Sequence, residues 1–341
     1  MAGKRRRKRM SGRMIRLCLT ICAIVLVLVI GALGAHMIES RMTEKVENAG
    51  QQITAHTHEE TTAQVFMNNQ WYQKKDVETL LVIGIDDYGV VTSSGSYNNS
   101  NQADFLMLFV KDTETGKSQA IHLNRDTMTD ITMRSVTGEA VGVRRAQLAL
   151  SYNYGQGQHD SSKNTADAVS NLLYGVQIDH YITVTMDAIP IMNDWAGGVT
   201  VEVMTDMTDV DSALIAGNKV KLTGEQALKY IRTRMGLDDS TNTTRMERQR
   251  QYAAEWVTAA QKQLKDESAV ADLVVQMSDY YYSDCTADEL EYFAEQLGNN
   301  SGMPIRKISG EAVRGEVHME FYADDTNIQR LVLEMFYEPA N

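Results

Sequence analysis

Cysteine is nearly absent from this 341-residue chain, which has only Cys18, Cys22 and Cys285. The first two fall inside one apolar run, so the remainder holds a single thiol and no intrachain disulfide framework is available to it. Stability must then come from a packed core, and the roughly 270 residues beyond the N-terminal region suffice for one large domain or two small ones. Proline is equally scarce, at three residues, which excludes a Pro-rich linker, and no internal repeat is present. Basic charge is also short after the first few residues. The first sixteen carry eight of the 33 Lys+Arg and no acid, leaving 25 bases against 45 acids. So acidic a body lacks the broad basic footprint of general nucleic-acid binding, and any anion it binds must be held locally.

The one long hydrophobic run is Leu17 to Ala35, nineteen residues without a charge. At about 1.5 Å per residue it can cross a bilayer core as a single helix. KRRRKR at 4–9, Arg13 and Arg16 precede it, so the positive-inside rule places residues 1–16 in the cytoplasm and everything after Ala35 outside. A cleaved signal peptide has a shorter apolar region, about 7–15 residues, and GALGAHM offers only a weak cleavage site. The expectation is an uncleaved, single-pass anchor in the cell membrane. Residues 36–77, polar and without strong periodicity, read as a stalk, and residues 78–341 as one extracytoplasmic domain.

From Glu78 the texture changes. LLVIGI (80–85) and DFLMLFV (104–110) are continuous apolar runs, as in strands buried on both faces, and residues 89–103 between them read as a loop. KDTETGK (111–117) turns the second run into SQAIHL (118–123), an antiparallel hairpin. The pattern predicts a helix from near Thr165 with Asn164 as its cap, a strand over 180–186, a short helix over 187–195 and a strand over 199–203. Thr223 and Gln226 form a capping box for a helix over 224–234, followed by a long helix over 243–263. A second capping box at Thr286 and Glu289 and a helix over 325–337 complete the series. Alternating strands and helices imply α/β or α+β layering.

The chemistry-bearing residues cluster at the ends of these elements. Asp86 and Asp87 follow the first apolar run, at the strand edge where open α/β sheets bind ligands, and Asp104 opens the next. Two carboxylates brought together there would suit magnesium, a hard cation that wants oxygen ligands, although acids flanking buried strands also serve as solubilising punctuation. Arg125-Asp126 lies in HLNRDT, which alone also fits a turn with a local ion pair. Arg232 and Arg234 end one helix, and Arg245, Arg248 and Gln249 begin the next. Arg245 and Gln249 are four apart and share a face, at a helix N-terminus that itself attracts phosphate. Arginine remains charged and donates two parallel hydrogen bonds to a pair of phosphate oxygens. Taken alone, RMERQR (245–250) also fits a solvated helix face.

Seven ordered blocks carry a resemblance: LLVIGID (80–86), QADFLMLF (102–109), HLNRDT (122–127), LALSYNYG (148–155), NLLYGVQIDHYITVTMDAI (171–189) with NDWAGGVTVEV (193–203), LTGEQALKYIRTR (222–234) and RMERQRQ (245–251). In order and spacing they resemble the LytR-CpsA-Psr family over about residues 78–265. The resemblance implies a three-layer α/β/α sandwich with a central mixed sheet and an apolar tunnel for a polyprenyl chain, preceded by one transmembrane helix. It implies a magnesium-assisted phosphotransferase. Members move an anionic glycopolymer, such as teichoic acid or capsular polysaccharide, from an undecaprenyl-pyrophosphate carrier onto peptidoglycan.

Carried over position by position, it casts Asp86 and Asp104 as Mg²⁺ ligands, Asp104 also as a base, and Arg125, Arg232, Arg234, Arg245 and Gln249 as the pyrophosphate clamp. Of these Asp104, Arg125, Arg232 and Arg234 would be catalytic. The chain departs from the family where Gln102, Thr129 and Gln147 stand in place of cations, and DDYGV lacks the arginine often found after the first aspartate. Those departures favour the alternative of a non-catalytic polyprenyl-pyrophosphate binding or sensing protein. A transcriptional attenuator would need a folded cytoplasmic part, which sixteen residues cannot supply. Beyond residue 265, the tyrosines at 280–282 are expected to pack in the core.

Overall fold

The structure is a computed structural model that describes residues 64–67, 69–97, 101–233 and 242–340. Leu17 to Ala35 and Arg234 lie outside the described residues, and among those described no helix is long and apolar enough to cross a membrane. In chain order, the first half runs β1 (Gln64–Met67), β2 (Gln70–Lys74), β3 (Val77–Ile85), β4 (Ala103–Asp112), β5 (Ser118–Leu123), β6 (Met128–Arg134), β7 (Ala140–Gln147), a 3-10 turn at Leu148–Tyr154 and α1 (Gln158–Leu172). There follow β8 (His180–Val184), α2 (Ala188–Trp195), β9 (Thr200–Glu202), β10 (Lys219–Lys221), α3 (Gly224–Arg232), α4 (Thr243–Ala260) and α5 (Glu267–Gln276). The chain closes with β11 (Tyr281–Ser283), α6 (Ala287–Asn299), β12 (Ile305–Lys307), β13 (Gly310–Arg314), β14 (Met319–Ala323), α7 (Asp325–Phe336) and β15 (Tyr337–Pro339).

Six strands form the central mixed sheet in the order β11-β8-β3-β4-β5-β12. β3 runs parallel to β8 and antiparallel to β4, β4 is antiparallel to β5, and β12 is parallel to β5. Side-chain alternation gives each strand two faces. Leu81, Ile83 and Ile85 of β3, with Leu106 and Leu108 of β4, pack against Val169 and Leu172 of α1 and Leu331, Met335 and Phe336 of α7. Leu80 and Phe109 point the other way and pack with Phe293 of α6. Helices therefore cover both faces of the sheet, which explains the uninterrupted apolar runs of β3 and β4. Both capping boxes form: Thr223 Oγ1 and Gln226 close the start of α3, and Thr286 with Glu289 closes that of α6.

Three readings from sequence are corrected. Residues 64–74 of the expected stalk form β1 and β2, which join β15 from the far end of the chain in a three-stranded sheet. Such a pairing leaves no local trace. α1 begins at Gln158, seven residues before Thr165, and Asn164 is no cap: its Nδ2 donates to the Ser151 carbonyl at 2.6 Å. The first turns of the helix show no sequence signal because their buried face carries Ser161, Ser162, Asn164 and Thr165 in place of an apolar stripe. Ser162 Oγ pairs with Thr183 Oγ1 at 2.8 Å and Ser151 Oγ donates to Thr165 Oγ1 at 3.0 Å, so these four hydroxyls are satisfied inside. The hairpin β6–β7 also went unread. The tyrosines behave as expected, Tyr281 and Tyr282 lying on β11 and packing into the core clusters.

Two measurements check this packing. A Cβ at Gly224 would lie 2.7 Å from Pro190 Cα where α3 meets α2, so Gly224→Ala should lower the unfolding free energy by about 1–3 kcal/mol in urea titrations. Buried His122 on β5 has its pKa driven down to about 3, first by burial and then by the charges of Arg250 and Arg245. The unfolded chain therefore takes up this proton first. The stabilisation is complete above about pH 6.5 and is lost as pH falls toward 3. The stability difference between wild type and His122→Gln should accordingly shrink below pH 6.5, by up to about 1.4 kcal/mol per pH unit, and stay constant above it.

Candidate active site

β3 and β4 deliver two carboxylates at neighbouring ends. Asp86, exposed, closes the base of the intervening loop: its Oδ1 accepts from the Gln102 amide at 2.7 Å and its own amide donates to the Gln102 carbonyl at 3.1 Å. Asp87 turns inward to accept from Asn101 Nδ2 at 2.7 Å. Asp104, the second residue of β4, is buried. Arg125, from the turn after β5, meets its Oδ1, and Arg245 Nη1 from the first turns of α4 meets its Oδ2 at 2.9 Å. Arg245 Nη2 also reaches the Asp104 carbonyl at 3.4 Å. Arg125 donates in addition to Gln102 Oε1 and lies 3.4 Å from Asp126 Oδ1.

Local structure fixes these side chains. Asn124 Oδ1 accepts from the Asp126 amide at 3.0 Å, shaping the turn that aims Arg125, and accepts from Asn242 Nδ2, the residue preceding α4, at 3.2 Å. The β5 turn and the start of α4 are thereby tied together. Arg248, one turn on from Arg245, is completely buried. Its Nε donates to the Tyr230 carbonyl at 2.8 Å and its Nη2 to the Thr233 carbonyl, so it pins the end of α3 against α4. Burial lowers its pKa, with a further contribution from neighbouring Arg245, yet a guanidinium stays charged. The sequence alone leaves Arg248 outside the clamp; the signal for its role is its place one turn after Arg245, on the inner face of the same helix. Gln249 is buried too and donates to the Ile231 carbonyl at 3.3 Å. Arg232 is the exposed last residue of α3, its guanidinium 5.4 Å from the Tyr88 ring centre.

Behind Asp104 lies a cavity of about 300 Å³. Among the described residues its charged and amide lining consists of Asp104, Arg232, Arg245 and Gln249. The remaining wall is largely apolar, from Val82, Met107 and Phe109 on the sheet and from Trp256 of α4 and Phe293 and Leu297 of α6. Such a shape takes a long apolar group with an anionic head. Asp104, Arg125 and Arg245 thus meet in one cluster, and Arg232 and Gln249 share the cavity wall with Asp104 and Arg245. Asp86 stands beside Gln102, the acceptor of Arg125, and does not line the cavity. Two of the positions where the family often has cations are absorbed into hydrogen bonds, Gln102 with Arg125 and Gln147 with Asp126 Oδ1 at 3.1 Å. Thr129 is buried.

As to a metal, Asp86 and Asp104 offer hard oxygens at adjacent strand ends, a donor set that fits magnesium if phosphate and water complete the shell. Both Asp104 oxygens face guanidinium groups, so an ion there would share the carboxylate with Arg125 and Arg245.

Comparison with known proteins agrees with this architecture. The crystal structure of B. subtilis TagV superposes with a TM-score of 0.59 at 20% identity, covering 77% of this chain and 97% of that one. TagT bound to LI-WTA superposes with a TM-score of 0.58 at 16% identity, covering 76% and 90%. At these identities the likeness is one of fold. The polyisoprenyl-teichoic acid--peptidoglycan teichoic acid transferase TagU of Halalkalibacterium halodurans is 27% identical over 177 residues, 52% of this chain. The match spans about half of that relative's length, at 51%. The model of the LytR_cpsA_psr family matches residues 40–335, well beyond the blocks quoted from the sequence at both ends. This chain belongs to the LytR-CpsA-Psr family.

Proposed function

We propose that the protein transfers an anionic glycopolymer, of teichoic acid or capsular polysaccharide type, from an undecaprenyl-pyrophosphate carrier to a sugar hydroxyl of peptidoglycan. The observation that carries this reading is the apolar cavity walled at one place by Asp104, Arg232, Arg245 and Gln249. A polyprenyl tail fits the apolar part, and its diphosphate then falls among the arginines. The family membership and the TagU likeness support the same class of reaction.

Phosphoryl transfer asks the protein mainly to neutralise charge and hold the attacking group in line. Arg125 and Arg245 are poised for this because both guanidinium groups stay charged and meet at the Asp104 carboxylate. In the proposed complex they share their donors between Asp104 and the phosphate oxygens, with Arg232, Arg234 and Gln249 closing the clamp. Mg²⁺, held by Asp86 and Asp104 when bound, would supply further charge neutralisation on the diphosphate. Asp104 then serves as the base toward the acceptor hydroxyl, leaving a phosphodiester and polyprenyl phosphate. Residues 17–35, as an N-terminal anchor, would keep the site beside the membrane leaflet that carries the donor.

A second reading is a protein that binds or senses polyprenyl pyrophosphate without turning it over. Gln102 and Gln147 favour it, since neutral amides occupy places where the family often has positive charge. Incubation with a soluble polyprenyl-pyrophosphate glycan analogue, a peptidoglycan fragment and Mg²⁺ separates the two. Transfer supports the enzyme, whereas saturable binding without product supports the sensor. For the enzyme, Arg232→Ala should cut the transfer rate by about 10²-fold or more. Because Arg232 is exposed, the same change should leave the unfolding free energy within about 0.5 kcal/mol of wild type. Transfer at the wild-type rate would remove Arg232 from the clamp.

A further inference from the structure

His180, Asp284 and Cys285 form a cluster away from the cavity mouth. His180 opens β8 and pairs with Leu80, whereas Val184 at the other end pairs with Gly84 next to the carboxylate end of β3. The cluster is thus displaced from that end by about four residues of strand, roughly 13 Å. One donor atom from each of the three residues lies within 4.8 Å of the others. His180 Nδ1 is 3.8 Å from Asp284 Oδ1; it is shielded from solvent and has no hydrogen-bond partner. On the other side of the ring, Nε2 is 3.6 Å from Glu289 Oε1.

We propose that this cluster is a transition-metal site, suited to Zn²⁺, with His180 Nδ1, the Cys285 thiolate and an Asp284 carboxylate oxygen as protein ligands and water as the fourth. A tetrahedral zinc with bonds of about 2.0–2.3 Å keeps its N, O and S donors roughly 3.3–3.6 Å apart, so small side-chain shifts close the shell. The donor chemistry excludes magnesium and calcium, which avoid thiolate, and suits a borderline ion. A histidine ligand normally gives its other ring N–H to a carboxylate. Glu289 is held in that place by the capping box, where its Oε2 accepts from the Thr286 amide at 2.7 Å and leaves Oε1 facing the ring. The ligands come prearranged as well. Asp284 Oδ1 accepts from the Tyr181 amide at 2.8 Å, and the Cys285 amide donates to Ser283 Oγ at 3.1 Å.

Such an ion would fasten the start of β8 to the turn between β11 and α6. The His180 ring packs edge-on to Phe293, 5.9 Å between centres, and Phe293 lines the apolar cavity. In this arrangement the metal takes no part in phosphoryl transfer.

Cobalt(II) titration of the chelator-treated full chain tests the site, with the near-ultraviolet thiolate-to-cobalt absorption as the readout. That band requires a sulfur ligand, so metal bound at Asp86 and Asp104 does not contribute. The chain's other thiols are Cys18 and Cys22, so Cys285→Ser is the deciding variant. The expected result is one equivalent of cobalt with that absorption in wild type, displaced by zinc, absent in Cys285→Ser and at least tenfold weaker in His180→Gln. Absence of the band in wild type, or its survival in Cys285→Ser, overturns the proposal. Should Cys285→Ser fail to fold, His180→Gln and Asp284→Asn decide the matter, and undiminished affinity in both overturns it equally.

Discussion

Asp104 is a carboxylate taken out of water and held between guanidinium groups from two other parts of the chain. An unpaired charge buried there would cost several kcal/mol, so β4, the turn after β5 and the start of α4 are constrained to meet. Arg125 and Arg245 satisfy the carboxylate, and the carboxylate in turn lets two like charges sit close together. Cations assembled without a bound anion need such a placeholder. Arg248 extends the same logic outward. Its buried guanidinium donates through Nε and Nη2 to backbone carbonyls at the end of α3, so it sets where Arg232 stands.

The apolar side follows from the sheet. On β3, Leu81, Ile83 and Ile85 are buried against α1 and α7, while Leu80, Val82 and Gly84 face the cavity with the α4 and α6 side chains. One face is a packed core and the other a walled space, yet in sequence the strand is uniformly hydrophobic. The cavity is bounded by residues from opposite ends of the domain, including α6 and the segment leading into β12. This makes the C-terminal part of the chain integral to the site even though its residues carry no charged role there. In the proposed reading, headgroup chemistry and tail burial are one binding event, and neither half has an obvious use alone.

How much of this was legible depends on how local the signal was. The strands over 80–85, 104–110 and 118–123 and both capping boxes were readable because their information sits within a few residues. So was the convergence of Asp104, Arg125 and Arg245, although it came through the ordered family blocks: 141 residues separate Asp104 from Arg245, and spacing along the chain cannot show that they touch. The start of α1 was misplaced because the inner face of its first turns is made of the Ser161, Ser162 and Thr165 hydroxyls, which carry no hydrophobic periodicity. β1 and β2 were read as stalk because their partner, β15, lies at the other end of the chain. The cavity was invisible for a different reason: its lining residues are the same types that fill a core. Arg234 and the segment proposed to span the membrane fall outside the described residues.

The central claim is that one lipid diphosphate engages the arginine cluster and the apolar cavity together. Isothermal titration of the full chain with a C20 or longer polyprenyl diphosphate, with inorganic pyrophosphate and with the corresponding polyprenol, each in the presence of Mg²⁺, tests it directly. The account predicts that the lipid diphosphate binds at least 100-fold tighter than either fragment, and that Arg245→Ala weakens the diphosphate lipid while leaving the polyprenol unaffected. Equal affinity for pyrophosphate with and without its tail, or binding of the lipid that ignores Arg245, would contradict it.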